Sequence, residues 1–110
     1  MLNQTVIVGR IVKDPELVDT ETGKKVTNLT IAVPRSYKNK DGEYDTDYID
    51  CTLWSGLAEN TVEYCKKGDL VGIKGRIETE VYETDDNTNI KNTKLVAEKV
   101  TFLSSKNKED

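Results

Sequence analysis

The segment Asp47-Tyr48-Ile49-Asp50-Cys51-Thr52-Leu53-Trp54 alternates with a period of two, the pattern of a strand with one face in a core and one in water. Ile49, Cys51 and Leu53 share one side, and Tyr48, Asp50, Thr52 and Trp54 share the other. The smaller apolar set is the natural core face. Two large rings then stand on the polar face, roughly 20 Å apart at about 3.3 Å per residue. Rings on the wet side of a strand suggest a platform for something flat, and nucleic-acid bases fit that description. The competing reading is that Tyr48 and Trp54 cover a sheet edge or pack in a dimer.

The rest of the chain reads mainly as strands. Residues 4–12 carry Val6, Ile7, Val8, Ile11 and Val12 on both faces, so both faces expect a cover, the second from another subunit. Lys13-Asp14-Pro15-Glu16 breaks that strand, and residues 19–25, with Gly23, form a polar turn. Residues 26–33 alternate with Leu29, Ile31 and Val33 inward, and Pro34 is expected to end the strand. Residues 35–46 read as a polar loop with Tyr37, Tyr44 and the turn pair Asp41-Gly42. Residues 57–67 form the one helix, with Leu57, Ala58, Thr61, Val62 and Cys65 as its stripe. Lys66 and Lys67 would suit its last turn and Gly68 its C-terminal cap.

Beyond the helix, residues 70–82 predict a long strand bent at Gly72 or Gly75. Val71, Ile73, Ile77 and Val81 fall on one face, and Lys74, Arg76 and Tyr82 on the other. Residues 83–92 read as a polar loop. Residues 94–103 form the last strand, whose apolar phase shifts between Ala97 and Val100 and so predicts a bulge or two covered faces. Tyr44 and Tyr64 are assigned to turn and helix packing, and Phe102 to the core.

Three strands, a helix and two strands are the plan of the OB-fold, an all-β, five-stranded Greek-key barrel with one helix between strands 3 and 4. The loops after strands one, two and four are the usual lips of its groove. Residues 1–104 are read as this single domain and residues 105–110 as a short charged tail.

Composition narrows the chemistry. The chain has two cysteines and no histidine, which leaves too few ligands for the usual zinc site and removes the commonest general base. Cys51 and Cys65 are read as small core residues in a reducing compartment. No segment approaches a membrane span and no secretory signal opens the chain, so the expected location is cytoplasmic, with no membrane partner. A net charge of −4 argues against a protein coated in positive charge for duplex DNA, but not against a local basic strip.

Such a strip has candidates. Single strands need flat surfaces for bases and cations for phosphates. Arg35 and Lys38 flank Tyr37, and Lys74 and Arg76 share a strand face with Tyr82. Tyr48 and Trp54 lie on the strand between these segments. One fold would bring all four rings to one groove. The bland alternatives are ordinary solvated charges and a Tyr82 that merely anchors a strand end.

The chain resembles the bacterial single-stranded DNA-binding protein family, with its phage and plasmid relatives, along nearly its full length to about Ser104. The residues that carry the match begin with Val8-Gly9-Arg10-Ile11 and Lys13-Asp14-Pro15-Glu16. Thr30-Ile31-Ala32-Val33, Tyr37 and the strand from Asp47 to Trp54 follow. Leu57-Ala58-Glu59-Asn60, Lys66-Lys67-Gly68-Asp69 and Gly72-Ile73-Lys74-Gly75-Arg76-Ile77 complete it. No single piece is diagnostic; the order and spacing together are specific. The resemblance implies stacking of bases on Tyr37, Tyr48, Trp54 and Tyr82, and a homotetramer.

Two departures from the family pattern stand out. Glu78, Thr79 and Glu80 occupy positions before the last ring where basic residues are common in the family, and Glu83, Asp85 and Asp86 follow. The long region with an acidic, hydrophobic tip that recruits replication and repair enzymes in cellular members is not carried by these residues.

The expected function is therefore non-enzymatic. The chain would bind and protect single-stranded DNA with little sequence preference during replication, repair or recombination, associated with the nucleoid. Bases would stack on the four aromatic residues, while Arg35, Lys38, Lys74 and Arg76 would meet phosphates, with no cofactor and no metal. The alternatives are an OB-fold module that binds protein, and, more remotely, a nuclease working through carboxylates.

Overall fold

The computed structural model describes residues 1–104; the tail expected over 105–110 lies outside the described residues. In chain order the elements are β1 (Thr5–Ile11), β2 (Val18–Asp19), β3 (Lys25–Lys38), β4 (Tyr44–Trp54), α1 (Ser55–Tyr64), β5 (Leu70–Glu83) and β6 (Asn89–Ser104). β2 is a two-residue strand paired only to the start of β3. The other five strands close on themselves in the order β1-β5-β6-β4-β3, with β3 returning to β1. This is the five-stranded barrel expected from the sequence, with its helix between the third and fourth barrel strands.

Two short seams close the barrel. β1 meets β3 through Arg10–Ala32 and Ile11–Ile31, and β4 meets β6 in parallel through Cys51–Leu95 and Thr52–Val96. The first seam needs a glycine beside it. A Cβ on Gly9 would lie 2.4 Å from the Ala32 carbonyl oxygen, so any side chain there would push β3 away.

The core is the set that alternation selected. Leu29 and Ile31 from β3, Cys51 and Leu53 from β4, Val71 and Ile73 from β5 and Leu95 from β6 are buried together. Ala58 and Cys65, from the helical stripe and the residue following α1, complete one end. Burial pushes the Cys51 thiol up to about 12 and the Cys65 thiol up to about 11, so both stay protonated and inert at neutral pH.

Several boundaries differ from the sequence expectation. β3 does not stop at Pro34 but runs to Lys38, and β4 starts at Tyr44, so the expected loop is a hairpin tip. The ladder slips between Pro34 and Lys38, and a proline is tolerated where pairing is already interrupted. The Asn39 side-chain oxygen accepts from the amides of Asp41 and Glu43 at 2.8 and 3.0 Å and closes the turn. Residues 83–92 are likewise a hairpin rather than a loop, with strands reaching Glu83 and Asn89. Phe102 is not in the core; it is half exposed and packs on Tyr64 at 6.2 Å.

The helix ends three residues earlier than its stripe suggested, and Lys66 and Lys67 lie outside it. Tertiary hydrogen bonds stop it. Asp14 accepts from the Lys67 amide at 2.8 Å, the Gly68 amide donates to the Ile11 carbonyl at 2.7 Å, and Arg10 donates to the Gly68 carbonyl at 2.9 Å. Gly68 sits at φ 93°, a conformation suited to glycine, and acts as the pivot of this turn rather than as the helix cap. Two segments distant in sequence, Lys13-Asp14-Pro15-Glu16 and Lys66-Lys67-Gly68-Asp69, are thus one structural unit.

The predicted phase shift in the last strand is a bulge. Lys74 pairs with Lys99 and Gly75 with Ala97, leaving Glu98 as the extra residue. Beyond the seam that Leu95 and Val96 make with β4, the β5–β6 hairpin pairs only with itself.

Candidate nucleic-acid interface

β4 positions two of the four rings. Its inward residues are locked in the core, so alternation forces Tyr48, Asp50, Thr52 and Trp54 outward. Tyr48 is 65% and Trp54 38% exposed, more than a core role would leave. Between them the surface is polar and ordered. Thr30 donates to Asp50 at 2.9 Å, and Thr52 donates to the Asn28 side-chain oxygen at 3.1 Å. Trp54 is held at a sharp corner: Ser55, which begins α1, takes a φ of 53°.

The same strip lines a groove of about 450 Å³. Asn28, Thr30, Asp50 and Thr52 form one wall, and Glu80, Asn92, Thr93 and Lys94 of the β5–β6 hairpin face them, with Lys13 at the lip. Tyr82 lies two residues beyond Glu80 on the same side of β5 and is 50% exposed. Tyr48 and Trp54 flank Asp50 and Thr52 of the groove wall along β4, and Tyr82 follows Glu80 of the facing wall along β5, but none of the three rings lines the groove itself. Tyr48 also borders a more apolar notch lined by Val8, Ala32, Pro34 and Leu70.

Tyr37 stands apart. It is 62% exposed near the tip of the β3–β4 hairpin. Its hydroxyl accepts from Arg35 at 3.3 Å, and Arg35 in turn grips Asp47. Asp47 is the neighbour of Tyr48 on β4 and so lies on the opposite side of that strand, which ties the Tyr37 hydroxyl through Arg35 to the start of β4.

The four cations are not equivalent. Arg35 is paired with Asp47 at 2.9 Å, and Arg76 with Glu78 at 2.7 Å and Glu98 at 3.2 Å. Lys38 lies 5.9 Å from the Tyr44 ring centroid. Lys74 is cross-strand to Val6 on the outer face of β1 and β5, a different surface from the groove floor. Among the described residues neither lysine has an ion pair. The acidic residues before Tyr82 are themselves partnered, Glu78 with Arg76 and Glu80 with Lys94. Hydrogen bonds from Arg35 hold the Asp47 carboxyl below the usual carboxylate range.

Sequence reasoning missed Lys13, Asn28 and Lys94 as groove residues. Lys13 had a signal, since it opens the loop after the first strand, one of the expected lips. Asn28 alternates outward with Thr30 and could have been read from the period of its strand. Among the described residues no cluster suited to holding a metal ion occurs, and no helix is long and apolar enough to cross a membrane.

Sequence similarity to known proteins spans the whole barrel. The sequence matches the single-strand binding protein family over residues 2–103. It is 48% identical over 109 residues to single-stranded DNA-binding protein B of Bacillus subtilis, covering 99% of this chain and 96% of that protein. It is 46% identical over 106 residues to single-stranded DNA-binding protein 3 of Listeria innocua, and 44% over 107 residues to single-stranded DNA-binding protein A of Bacillus subtilis. Those matches cover 96% and 97% of this chain but 66% and 62% of the two longer relatives. With the barrel, the outward rings and these similarities in agreement, the chain belongs to the single-strand binding protein family, a family of binding proteins rather than enzymes.

Proposed function

We propose that this protein binds single-stranded DNA with little sequence preference and protects it during replication, repair or recombination, in the cytoplasm and in association with the nucleoid. The observation that carries the reading is the pair Tyr48 and Trp54, exposed on one face of β4 with a polar groove floor between them. Bases stack on these rings, on Tyr82 and, around the β3–β4 hairpin, on Tyr37. Each stacked base is worth about 1–3 kcal/mol and any base serves, since all have π-faces. Of the four expected phosphate contacts, Lys38 and Lys74 supply positive charge along the path, while Arg35 and Arg76 are held by carboxylates. With the two arginines in ion pairs, stacking carries the larger share of affinity.

Self-association is part of the same proposal. Val6 and Val8 point outward from β1 and are exposed in the single chain, which supports a homotetramer that covers them. No cofactor is invoked.

Titration with oligo-dT tests the reading, because Trp54 is the only tryptophan. Quenching of its fluorescence together with a mobility shift is expected. Absence of both at low salt overturns the DNA reading and favours a protein-binding module.

A further inference from the structure

Arg35 is already engaged as a phosphate ligand would engage it. Its Nε donates to both Asp47 oxygens at 3.3 and 3.1 Å, and its Nη2 donates to Oδ1 at 2.9 Å. That fork against a two-oxygen acceptor is the geometry by which arginine binds phosphate. The remaining arm, Nη1, donates to the Tyr37 hydroxyl. Both partners are well exposed, so the pair itself adds little to fold stability. Its consequence falls on charge and on ring orientation instead.

We propose that Asp47 is a positioning residue of the DNA interface, holding Arg35 out of phosphate contact and against the Tyr37 hydroxyl, so that Arg35 orients a stacking ring. The inference rests on the DNA-binding reading above and deepens it. A guanidinium whose charge is cancelled by its own carboxylate neutralises no phosphate and releases no counterion from the strand. A hydroxyl held by a fixed donor restricts a ring that otherwise stands loose on a hairpin tip, which lowers the ordering cost of stacking.

The test is the salt dependence of oligo-dT binding, plotted as log affinity against log salt. Asp47→Asn frees Arg35 for phosphate, and the slope should steepen by about 0.7, the value for one phosphate on a single strand. Between 50 and 200 mM salt that is about 2.5-fold more loss of affinity than wild type suffers. Asp47→Glu, which restores the carboxylate, should return the wild-type slope. The double variant Arg35→Gln with Asp47→Asn removes the pair at constant net charge. It should keep the wild-type slope and bind more weakly at every salt concentration. Tyr37→Phe should weaken the wild type but add nothing in the double variant, because the hydroxyl has already lost its donor.

An unchanged slope in Asp47→Asn overturns the proposal. So does a double variant whose slope is shallower by about 0.7, since Arg35 would then already touch phosphate in the wild type. If Asp47→Asn fails to fold, the double variant decides alone. If the wild type does not bind oligo-dT, it is the DNA reading that falls.

Discussion

A Cβ placed on Gly75 would lie 2.2 Å from the carbonyl oxygen of Val96. No side chain fits there, and the contact is backbone, so it cannot rotate away. The bulge at Glu98 lies on the strand opposite, beside this contact. Gly75→Ala should therefore cost about 1–3 kcal/mol, as overpacking does. The measurement is the urea midpoint at unchanged m-value. A neutral substitution would mean that β6 can shift at no cost.

Trp54→Ala should weaken oligo-dT binding by about 1–3 kcal/mol and leave the circular dichroism spectrum unchanged. The ring is partly exposed and Trp54 is not a member of the buried core. An unfolded variant would instead make Trp54 a structural anchor of the strand-to-helix corner.

Asp14→Ala should destabilise the barrel by about 1 kcal/mol, the net worth of a modest hydrogen bond to a charged acceptor that remains exposed to water. Asp14→Asn should recover most of the loss, because the amide oxygen still accepts from Lys67. Thermal melts of the two variants side by side give the comparison.

The elements with a buried face were legible, and those without one were not. Ile49, Cys51 and Leu53 declared β4 because the core needs them on one side. The shift between Ala97 and Val100 declared the bulge because both lie where burial imposes phase. Residues 83–92 form strands through backbone pairing alone, with no apolar alternation to betray it. The end of α1 was hidden for another reason: Asp14 and Ile11, more than fifty residues away, take the amides that follow it. At the candidate site, strand phase was enough to predict that Tyr48 and Trp54 are exposed, as they are. That Arg35 holds the Tyr37 hydroxyl, and that Arg35 and Arg76 are held by carboxylates, depends on side-chain geometry that no spacing encodes.

Asp47 should titrate below the ordinary aspartate value of about 3.9, because Arg35 stabilises its charged form. A depressed carboxylate contributes stability that is present above the unfolded pKa and is lost as pH falls through the folded one. The pair is thus intact at neutral pH and releases only in acid. Carbon-detected NMR titration of the Asp47 carboxyl should show the low midpoint, and Arg35→Gln should bring it back toward 3.9.

Val8→Glu should reduce the particle measured by light scattering, from four times 12.4 kDa for the proposed tetramer to a smaller species. The side chain points outward from β1, so the single barrel should remain folded. An unchanged particle mass would place the subunit contact elsewhere.

None of the described residues from Arg76 to Lys94 is buried. The arm formed by these residues is therefore free of the packing constraints that bind the barrel. Mutations accumulating there would be screened by what the hairpin touches and hardly at all by whether the protein folds. Insertions at its turn would lengthen the arm without disturbing a single core contact, which makes this arm the part of the molecule most open to evolutionary change in the length and chemistry of its reach.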